Sequence, residues 1–185
     1  KNLHIYRSSA GSGKTYSLVR NYVRMALVGD GRTFYPRYFR HILAITFTNK
    51  AAIEMHLRVS RLLRKDATGL PWLGTFHSIS AKLLRKHADA VGLKSNFTII
   101  DQDDQVRLIK NICKAENVDI KKISPKFILA IIDKWKNKGF YPQDVILKRK
   151  DPLEKNFLSI YKIYQEKLVN LNSADFSDLI LHTVK

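Results

Sequence analysis

The sequence predicts an α/β fold with a parallel sheet, followed by a mostly helical region. Three observations support this prediction. Residues 1–96 contain three consecutive segments that each have the pattern of a strand, a loop and a helix. Residues 41–47 form an apolar run of strand length, as expected for a strand covered on both faces of a parallel sheet. From residue 97 onward, apolar side chains recur mainly at helical spacing.

The first of the three segments contains a glycine-rich loop between a strand-like run, residues 3–6, and a predicted helix, residues 15–28. The loop has the sequence Ala10-Gly11-Ser12-Gly13-Lys14-Thr15. It matches the Gly-Lys-Thr end of a phosphate-binding loop, although Ser8 stands where the strict pattern has its first glycine. Glycines let successive N–H groups turn toward phosphate oxygens, and the helix N-terminus adds a positive field. Lys14 would contact the β- and γ-phosphates, and the Thr15 hydroxyl would ligate Mg²⁺.

Polar and aromatic side chains lie at the end of the second strand-like run, residues 41–47. Two hydroxyls, an aromatic ring, an amide and an ammonium emerge there, from Thr46, Phe47, Thr48, Asn49 and Lys50. In open α/β sheets, ligands bind at the carboxyl ends of the strands. Thr48 is predicted to cap a helix at residues 49–64. That helix is expected to bury four side chains, which are Ile53, Leu57, Leu62 and Leu63.

The third segment repeats this arrangement. A short strand beginning near Trp72 leads into small and polar groups, and a helix is predicted at residues 79–90. The sequence at this strand end is Gly74-Thr75-Phe76-His77-Ser78. A single histidine is more often a hydrogen-bonded structural residue. The neighbours of His77 at a second polar strand end favour a functional role for it.

The helical region has recognisable helix starts and apolar stripes. The helix starts are predicted at Asp101 with Asp104, at Ser124-Pro125, at Pro152 and at Asp175. The stripes are interpreted as core and comprise Val106, Ile109 and Cys113; Phe127, Ile128, Ile131, Ile132 and Trp135; and Phe157, Ile160, Tyr161, Tyr164 and Leu168. Three clusters are expected to meet phosphate, and they are Lys121-Lys122, Lys134-Lys136-Lys138 and Lys148-Arg149-Lys150.

The charge of the chain indicates a polyanionic partner. Among 185 residues, 33 are Lys or Arg and 16 are Asp or Glu, which gives a net charge of +17. Nucleic acid is the natural partner, and a generic lysine-rich surface is the alternative. Residues 32–40 interleave aromatic and basic side chains, which either stack on bases or form a loop that caps the core.

Cysteine content and hydropathy restrict the class of protein further. Cys113 is the only cysteine, so an internal disulfide is excluded and a buried apolar role is expected. No apolar run approaches the length needed to span a bilayer, and the N-terminal residues have no signal region. We therefore expect a cytoplasmic protein without a membrane partner.

Three motifs in this order resemble the N-terminal part of the UvrD/Rep/PcrA family of superfamily 1 DNA helicases. They are the loop at residues 10–15, the stretch at 45–55 and the stretch at 74–78, with further similarity at residues 97–101 and 175–180. The resemblance implies a RecA-like first motor domain at 1–96, an inserted helical subdomain at 97–173, and a return to the motor domain at 174–185. It also implies an ATP-driven 3′→5′ DNA translocase.

The resemblance assigns roles residue by residue. Ala10, Gly11, Ser12, Gly13, Lys14, Thr15 and Tyr16 would bind ATP, with Mg²⁺ on Thr15 and catalytic roles for Lys14 and Thr15. Single-stranded DNA would lie on Thr46, Phe47, Thr48, Asn49, Lys50, Thr75, Phe76 and His77, with little sequence preference. Duplex DNA is a possible partner of the helical subdomain.

The chain also departs from the family pattern. Tyr16 stands where many members have an arginine near the adenine. No Asp-Glu pair occurs in the sequence, so the acidic metal and water motif, the later arginine fingers and the second motor domain are missing. We therefore expect a fragment that binds nucleotide weakly and hydrolyses it negligibly, with the rest of the motor supplied downstream.

Three alternatives remain open at this point. A nucleic-acid-binding module without a motor would bind DNA in a salt-sensitive way, unaffected by ATP. Ser8-Ser9 resembles the RecB/AddA helicase–nuclease branch. A small-molecule kinase with a phosphate-binding loop is disfavoured by the net charge of +17 and by the two polar strand ends.

Overall fold

The computed structural model describes residues 13–28, 42–62, 70–118, 123–147 and 152–185. The chain divides into two compact units, Lys1–Ile79 and Ser80–Lys185. Several sequence predictions lie outside the described residues, namely the strand at 3–6, the loop through Ser12, the basic aromatic segment at 32–40, Leu63, and the clusters at 121–122 and 148–150.

The Lys1–Ile79 unit contains a parallel pair of short strands flanked by helices. Its elements are α1 (Lys14–Val28), β1 (Ala44–Thr46), α2 (Asn49–Leu62), β2 (Leu73–Thr75) and the start of α3 (Phe76–Lys86). Strands β1 and β2 are parallel, with Ala44 opposite Leu73 and Thr46 opposite Thr75. The predicted order of strand, polar segment and helix is therefore present twice in the described part of this unit.

The core of this unit lies between the two helices and the strand pair. Helix α1 contributes Val19 and Tyr22, and helix α2 contributes Met55 and Val59. Burial raises the pKa of Tyr22 to about 12. The strands and their flanking residues complete the cluster with Ile42, Ala44, Leu70 and Leu73.

The predicted buried face of α2 is wrong. Ile53, Leu57 and Leu62 are 61%, 52% and 58% exposed, whereas Met55 and Val59 are almost fully buried. Apolar residues four apart share a helical face, and α2 has two such pairs on opposite sides. The pair that packs with Val19 and Tyr22 is Met55 and Val59, because α1 lies against that side.

Two predicted boundaries also need correction. Helix α3 begins at Phe76 rather than at residue 79, because the Thr75 hydroxyl accepts a hydrogen bond from the Ser78 N–H at 3.3 Å and caps the helix there. Strand β1 covers only three residues of the predicted run 41–47, and Leu43 just before it is exposed. Full burial of that run on both faces is therefore not observed.

The Ser80–Lys185 unit is mostly helical. After α3 and a 3₁₀ turn at Ala88–Val91, its elements are β3 (Thr98–Ile99), α4 (Gln102–Ala115), α5 (Pro125–Lys136), a 3₁₀ turn at Pro142–Asp144, α6 (Pro152–Asn170), β4 (Ser173–Ala174) and α7 (Phe176–Val184). Strands β3 and β4 pair in parallel, with Thr98 opposite Ser173. Helices α4 to α6 therefore lie, in sequence, between the two strands of one pair.

The four predicted helix starts in this unit are confirmed, three of them by capping hydrogen bonds and the one at Pro152 by the start of α6. Asp101 accepts from the Asp104 N–H at 2.9 Å, and the Ser124 hydroxyl accepts from the Phe127 N–H at 3.2 Å. Asp175 and Asp178 form a reciprocal capping box at the start of α7. These side chains are local to the helices they cap, so the sequence alone was sufficient to find them.

The apolar stripes of α4, α5 and α6 meet in one core. Its buried members are Ile109, Ile112, Cys113, Ile128, Ile132, Phe157, Ile160, Tyr161, Tyr164 and Leu168. The predicted role of Cys113 as a buried apolar residue is confirmed. Phe127 differs from the prediction, because it is 56% exposed; its ring forms a T-shaped pair with Phe157, with 6.1 Å between ring centroids.

A buried charge cluster joins α5, α6 and α7. The Lys136 Nζ lies 2.6 Å from Asp175 Oδ2 and 2.7 Å from Asp178 Oδ1, and all three side chains are at most 1% exposed. Tyr164 donates a hydrogen bond to Asp175, and Gln165 donates one to Asp178. Burial raises the pKa of Asp178, while Lys136 acts in the opposite direction. The prediction that Lys136 meets phosphate is therefore wrong, because its ammonium group is buried and pairs with the carboxylates of Asp175 and Asp178.

Candidate nucleotide and nucleic-acid site

The end of the glycine-rich loop is the first part of the candidate site. Gly13 has a φ of +72°, a left-handed conformation that favours glycine, and α1 begins at the next residue. Ser17 donates its N–H to the Gly13 carbonyl at 2.9 Å, and Tyr16 is exposed. Ala10, Gly11 and Ser12, and the side chains of Lys14 and Thr15, lie outside what the structure describes.

The end of β1 is the second part. The Thr46 hydroxyl accepts a hydrogen bond from the Thr48 N–H, and the Thr48 hydroxyl accepts one from the Ala51 N–H at 3.2 Å. Thr48 is thus the predicted N-terminal cap of α2, and Asn49 and Lys50 are exposed in the first turn. This turn folds tightly and leaves the helix N-terminus open to an anion.

The end of β2 is the third part. The Thr75 side chain is nearly buried because it caps α3, and Ser78 Oγ donates to the Thr75 carbonyl at 3.0 Å. A Cβ at Gly74 in β2 would lie 2.4 Å from Ser78 Oγ, so a larger residue there would displace this hydroxyl from its hydrogen bond to Thr75. His77 is exposed in the first turn of α3.

The two strand ends bring Phe47 and Phe76 together. Their ring centroids are 5.3 Å apart with an interplanar angle of 59°. Phe47 is 90% exposed and Phe76 is 41% exposed. The contact follows from the register, since Thr46 lies opposite Thr75 and the next residue of each chain segment leaves the sheet at the same edge. Neither ring belongs to the buried core cluster of this unit.

The electrostatic setting of this edge favours an anionic ligand. Neither α2 nor α3, both described over their full length, has an acidic residue in its first turn. The N-terminal ends of both helices therefore keep their positive field. The structure brings together Thr46, Phe47, Thr48 and Phe76, with Lys50 on the first turn beside them. The pairing of β1 with β2, which the sequence alone does not reveal, brings these residues together.

A parallel strand pair flanked by helices, with polar groups at the carboxyl ends of its strands, is the arrangement of the α/β class, in which ligands bind at that edge of the sheet. The comparison with protein families identifies the group within this class. Residues 2–185 match the UvrD/REP helicase N-terminal domain. The chain belongs to this family.

Individual relatives agree with the family assignment. The chain is 40% identical over 177 residues, or 96% of its length, to an ATP-dependent DNA helicase PcrA from Staphylococcus epidermidis strain RP62A. It has the same identity over the same length to an ATP-dependent DNA helicase PcrA from Staphylococcus aureus strain Mu50. The chain spans 23% of the length of each of these relatives. None of the helices within the described ranges is both long and apolar enough to cross a membrane.

Proposed function

We propose that the chain is the N-terminal ATP- and DNA-binding part of an ATP-dependent 3′→5′ DNA helicase of the cytoplasm, acting in repair, replication or recombination. The family and the two PcrA relatives support the reaction class. The structural observation that carries the proposal is the exposed contact between Phe47 and Phe76 at the carboxyl edge of β1 and β2.

The aromatic pair suits single-stranded DNA. Proteins that bind single strands without sequence preference stack bases on aromatic rings and hold the backbone with positive charge. Phe47 offers an open ring face, and Lys50 and the N-terminal ends of α2 and α3 lie at the same edge. We propose that Thr46, Phe47, Thr48, Asn49, Lys50, Phe76 and His77 contact the strand. Thr75 supports them mainly as the cap of α3.

The glycine-rich loop suits ATP and Mg²⁺. Gly13 adopts the left-handed conformation that such a loop needs, a Cβ there would meet nothing within 4 Å, and the amides of the first turn of α1 follow it directly. We propose that residues 10–15 hold the phosphates, with Lys14 and Thr15 in the catalytic roles stated above and Thr15 as a Mg²⁺ ligand. Tyr16, 64% exposed, lies where an adenine ring could stack on it.

The proposal also covers the arrangement of the domains. We propose a RecA-like motor domain at residues 1–96, an inserted helical subdomain at 97–173 and a return to the motor domain at 174–185. The pairing of β3 with β4 supports an insertion, because it holds the entry and the exit of the helical segment side by side. The unit boundary between Ile79 and Ser80 falls inside α3, so the boundary near residue 96 stays a prediction.

Replacing Phe47 by alanine tests the single-strand site. We expect a loss of about 1–3 kcal/mol in affinity for single-stranded DNA, because one stacked base loses its platform. Fluorescence anisotropy with a labelled oligothymidine measures this. Leu43→Ala is the matched control, since Leu43 is also an exposed apolar residue but precedes β1 at the opposite end. Equal binding by Phe47→Ala and Leu43→Ala would contradict the proposed site.

Adding ATP tests the nucleotide site. We expect the 185-residue protein to bind ATP analogues weakly and to show negligible DNA-stimulated turnover, because its sequence has no Asp-Glu pair to hold the metal and activate water. Lys14→Ala should abolish the weak binding, measured by equilibrium dialysis. Appreciable turnover that Lys14→Ala removes would overturn the prediction of inactivity. DNA affinity that never responds to nucleotide would instead favour the binding module without a motor.

A further inference from the structure

A cavity of about 1050 Å³ lies along one face of α6 in the Ser80–Lys185 unit. The lining residues of α6 run from Lys155 to Asn170, which is about 22 Å along the helix axis. The segments around the two 3₁₀ turns and one residue of α7, His182, line the rest. Cavities that hold small organic ligands measure about 300–1,000 Å³, so this space, which we call the α6 cavity, can enclose such a ligand.

The lining of the α6 cavity is apolar over much of its surface. Its apolar side chains come from three separate segments of the chain and include Val91, Pro142, Leu147, Leu158 and Val169. Val91 and Leu158 are half-buried. Removing the apolar surface of a ligand from water is favourable in proportion to the area buried. The cavity therefore suits a ligand with an apolar or aromatic body.

The described residues that line the α6 cavity include two lysines and one carboxylate. Lys155 and Lys162 are exposed, and neither forms an ion pair with a residue in the described ranges. Glu166 lies one helical turn from Lys162 but about 16 Å along the axis from Lys155. Burial lowers the pKa of His182, so its imidazole is neutral at pH 7. The least compensated charge of this lining is therefore the ammonium group of Lys155, which favours an anionic group beside it.

Hydrogen bonds within the protein fix the polar side of the α6 cavity. Gln165 donates from Nε2 to Asp178 at 3.1 Å, and Asp178 pairs with Lys136 in the buried charge cluster. A hydrogen bond of 2.7 Å joins the Tyr141 hydroxyl to His182 Nδ1, and the two rings are stacked. These contacts connect α6, α7 and the Pro142–Asp144 turn. The walls of the cavity are thus preformed, and a ligand does not have to order them.

We propose that the α6 cavity is a binding site for a small amphipathic organic anion. The apolar body of the ligand packs on Leu158 and the other apolar lining residues, and its acidic group lies at Lys155. All the described lining residues belong to the Ser80–Lys185 unit, so the site contains none of the residues proposed to bind ATP or single-stranded DNA. The site is additional to the proposed function and does not depend on it.

Two fluorescent probes with the same aromatic frame test the role of the acidic group. Anilinonaphthalene sulfonate carries such a group, N-phenylnaphthylamine lacks it, and both become brighter in apolar surroundings. We expect each probe to saturate a single site. Lys155→Gln should weaken binding of the sulfonate probe about two- to fivefold, as for one exposed charge pair, and leave the neutral probe unchanged. Lys167→Gln is the matched control and should affect neither probe, because Lys167 is an exposed lysine of α6 outside the cavity lining.

Filling the cavity with Val169→Trp tests where the probes bind. Val169 is 39% exposed, so an indole at this position occupies the cavity without entering the core. We expect both probes to bind at least roughly tenfold more weakly, because the space that encloses them is lost. Circular dichroism verifies that each variant is folded. Unchanged binding of both probes to Val169→Trp would overturn the inference, and so would equal effects of Lys155→Gln and Lys167→Gln on the sulfonate probe.

Discussion

Replacing Lys136 by methionine is expected to lower the free energy of unfolding of the Ser80–Lys185 unit by about 3–5 kcal/mol. The substitution leaves Asp175 and Asp178 buried without their shared cation. A buried carboxylate without a partner is strongly unfavourable, whereas methionine fills nearly the same volume as lysine. The loss therefore arises from charge rather than from a cavity.

Urea unfolding followed by Trp135 fluorescence measures this loss. The chain has two tryptophans, so all variants carry Trp72→Phe to make Trp135 the single reporter. Trp135 stacks on Tyr161 in the core, with 5.8 Å between ring centroids, and should respond to unfolding of this unit. Lys134→Met is the control, because it changes an exposed lysine of the same helix and should cost less than about 0.5 kcal/mol.

A combined variant separates the charge effect from a general packing effect. Adding Asp175→Asn and Asp178→Asn to Lys136→Met removes all three charges and keeps an asparagine, a good N-terminal cap, before α7. We expect the triple variant to recover a substantial part of the lost stability, because interacting residues show coupling of about 0.5–3 kcal/mol. A Lys136→Met protein as stable as the Lys134→Met protein would contradict the charge cluster.

Replacing Met55 by alanine is expected to destabilise the Lys1–Ile79 unit by about 2–5 kcal/mol. Met55 is 1% exposed and packs with Val19, Tyr22 and Val59. Leu57→Ala, two residues further along the same helix, should cost less than about 0.5 kcal/mol because Leu57 is mostly exposed. Both substitutions remove a flexible apolar side chain of good helix propensity, so the difference between them reports burial.

Trp72 fluorescence in a Trp135→Phe background measures this difference, since Trp72 directly precedes β2. The pair of variants also decides between the two apolar faces of α2. A larger loss for Leu57→Ala than for Met55→Ala would mean that α2 packs on the face that its sequence first suggested. The prediction matters for function, because the orientation of α2 sets the position of Thr48 and Lys50.

The sequence predicted each α-helix of the two described units, although it did not predict strand β4. Thr48, Asp101, Ser124 and Asp175 each cap the helix that follows, and each bond spans only three residues. The stripe of Tyr161, Tyr164 and Leu168 is buried as expected. Such features depend on neighbours along the chain, so their physical cause is visible in the sequence itself.

The failed predictions of which side chains are buried share one cause. Ile53 and Met55 are equally apolar in α2, and Lys134 and Lys136 are the same residue type two positions apart in α5. Helical spacing identifies the possible faces but carries no information about which face meets a distant partner. Burial of Met55 depends on α1, and burial of Lys136 depends on Asp175, 39 residues further along the chain.

The features of the candidate site likewise divide into those that the sequence shows and those that only the tertiary structure shows. The order of residues predicts a glycine-rich phosphate-binding loop and two polar strand ends, and it shows a net charge of +17 and no Asp-Glu pair, because these are properties of residue type and spacing. The pairing of β1 with β2 places Phe47 against Phe76, and the packing of α5 buries Lys136 while Lys126 and Lys134 stay exposed. These contacts depend on packing between segments far apart in the chain, which residue spacing does not encode.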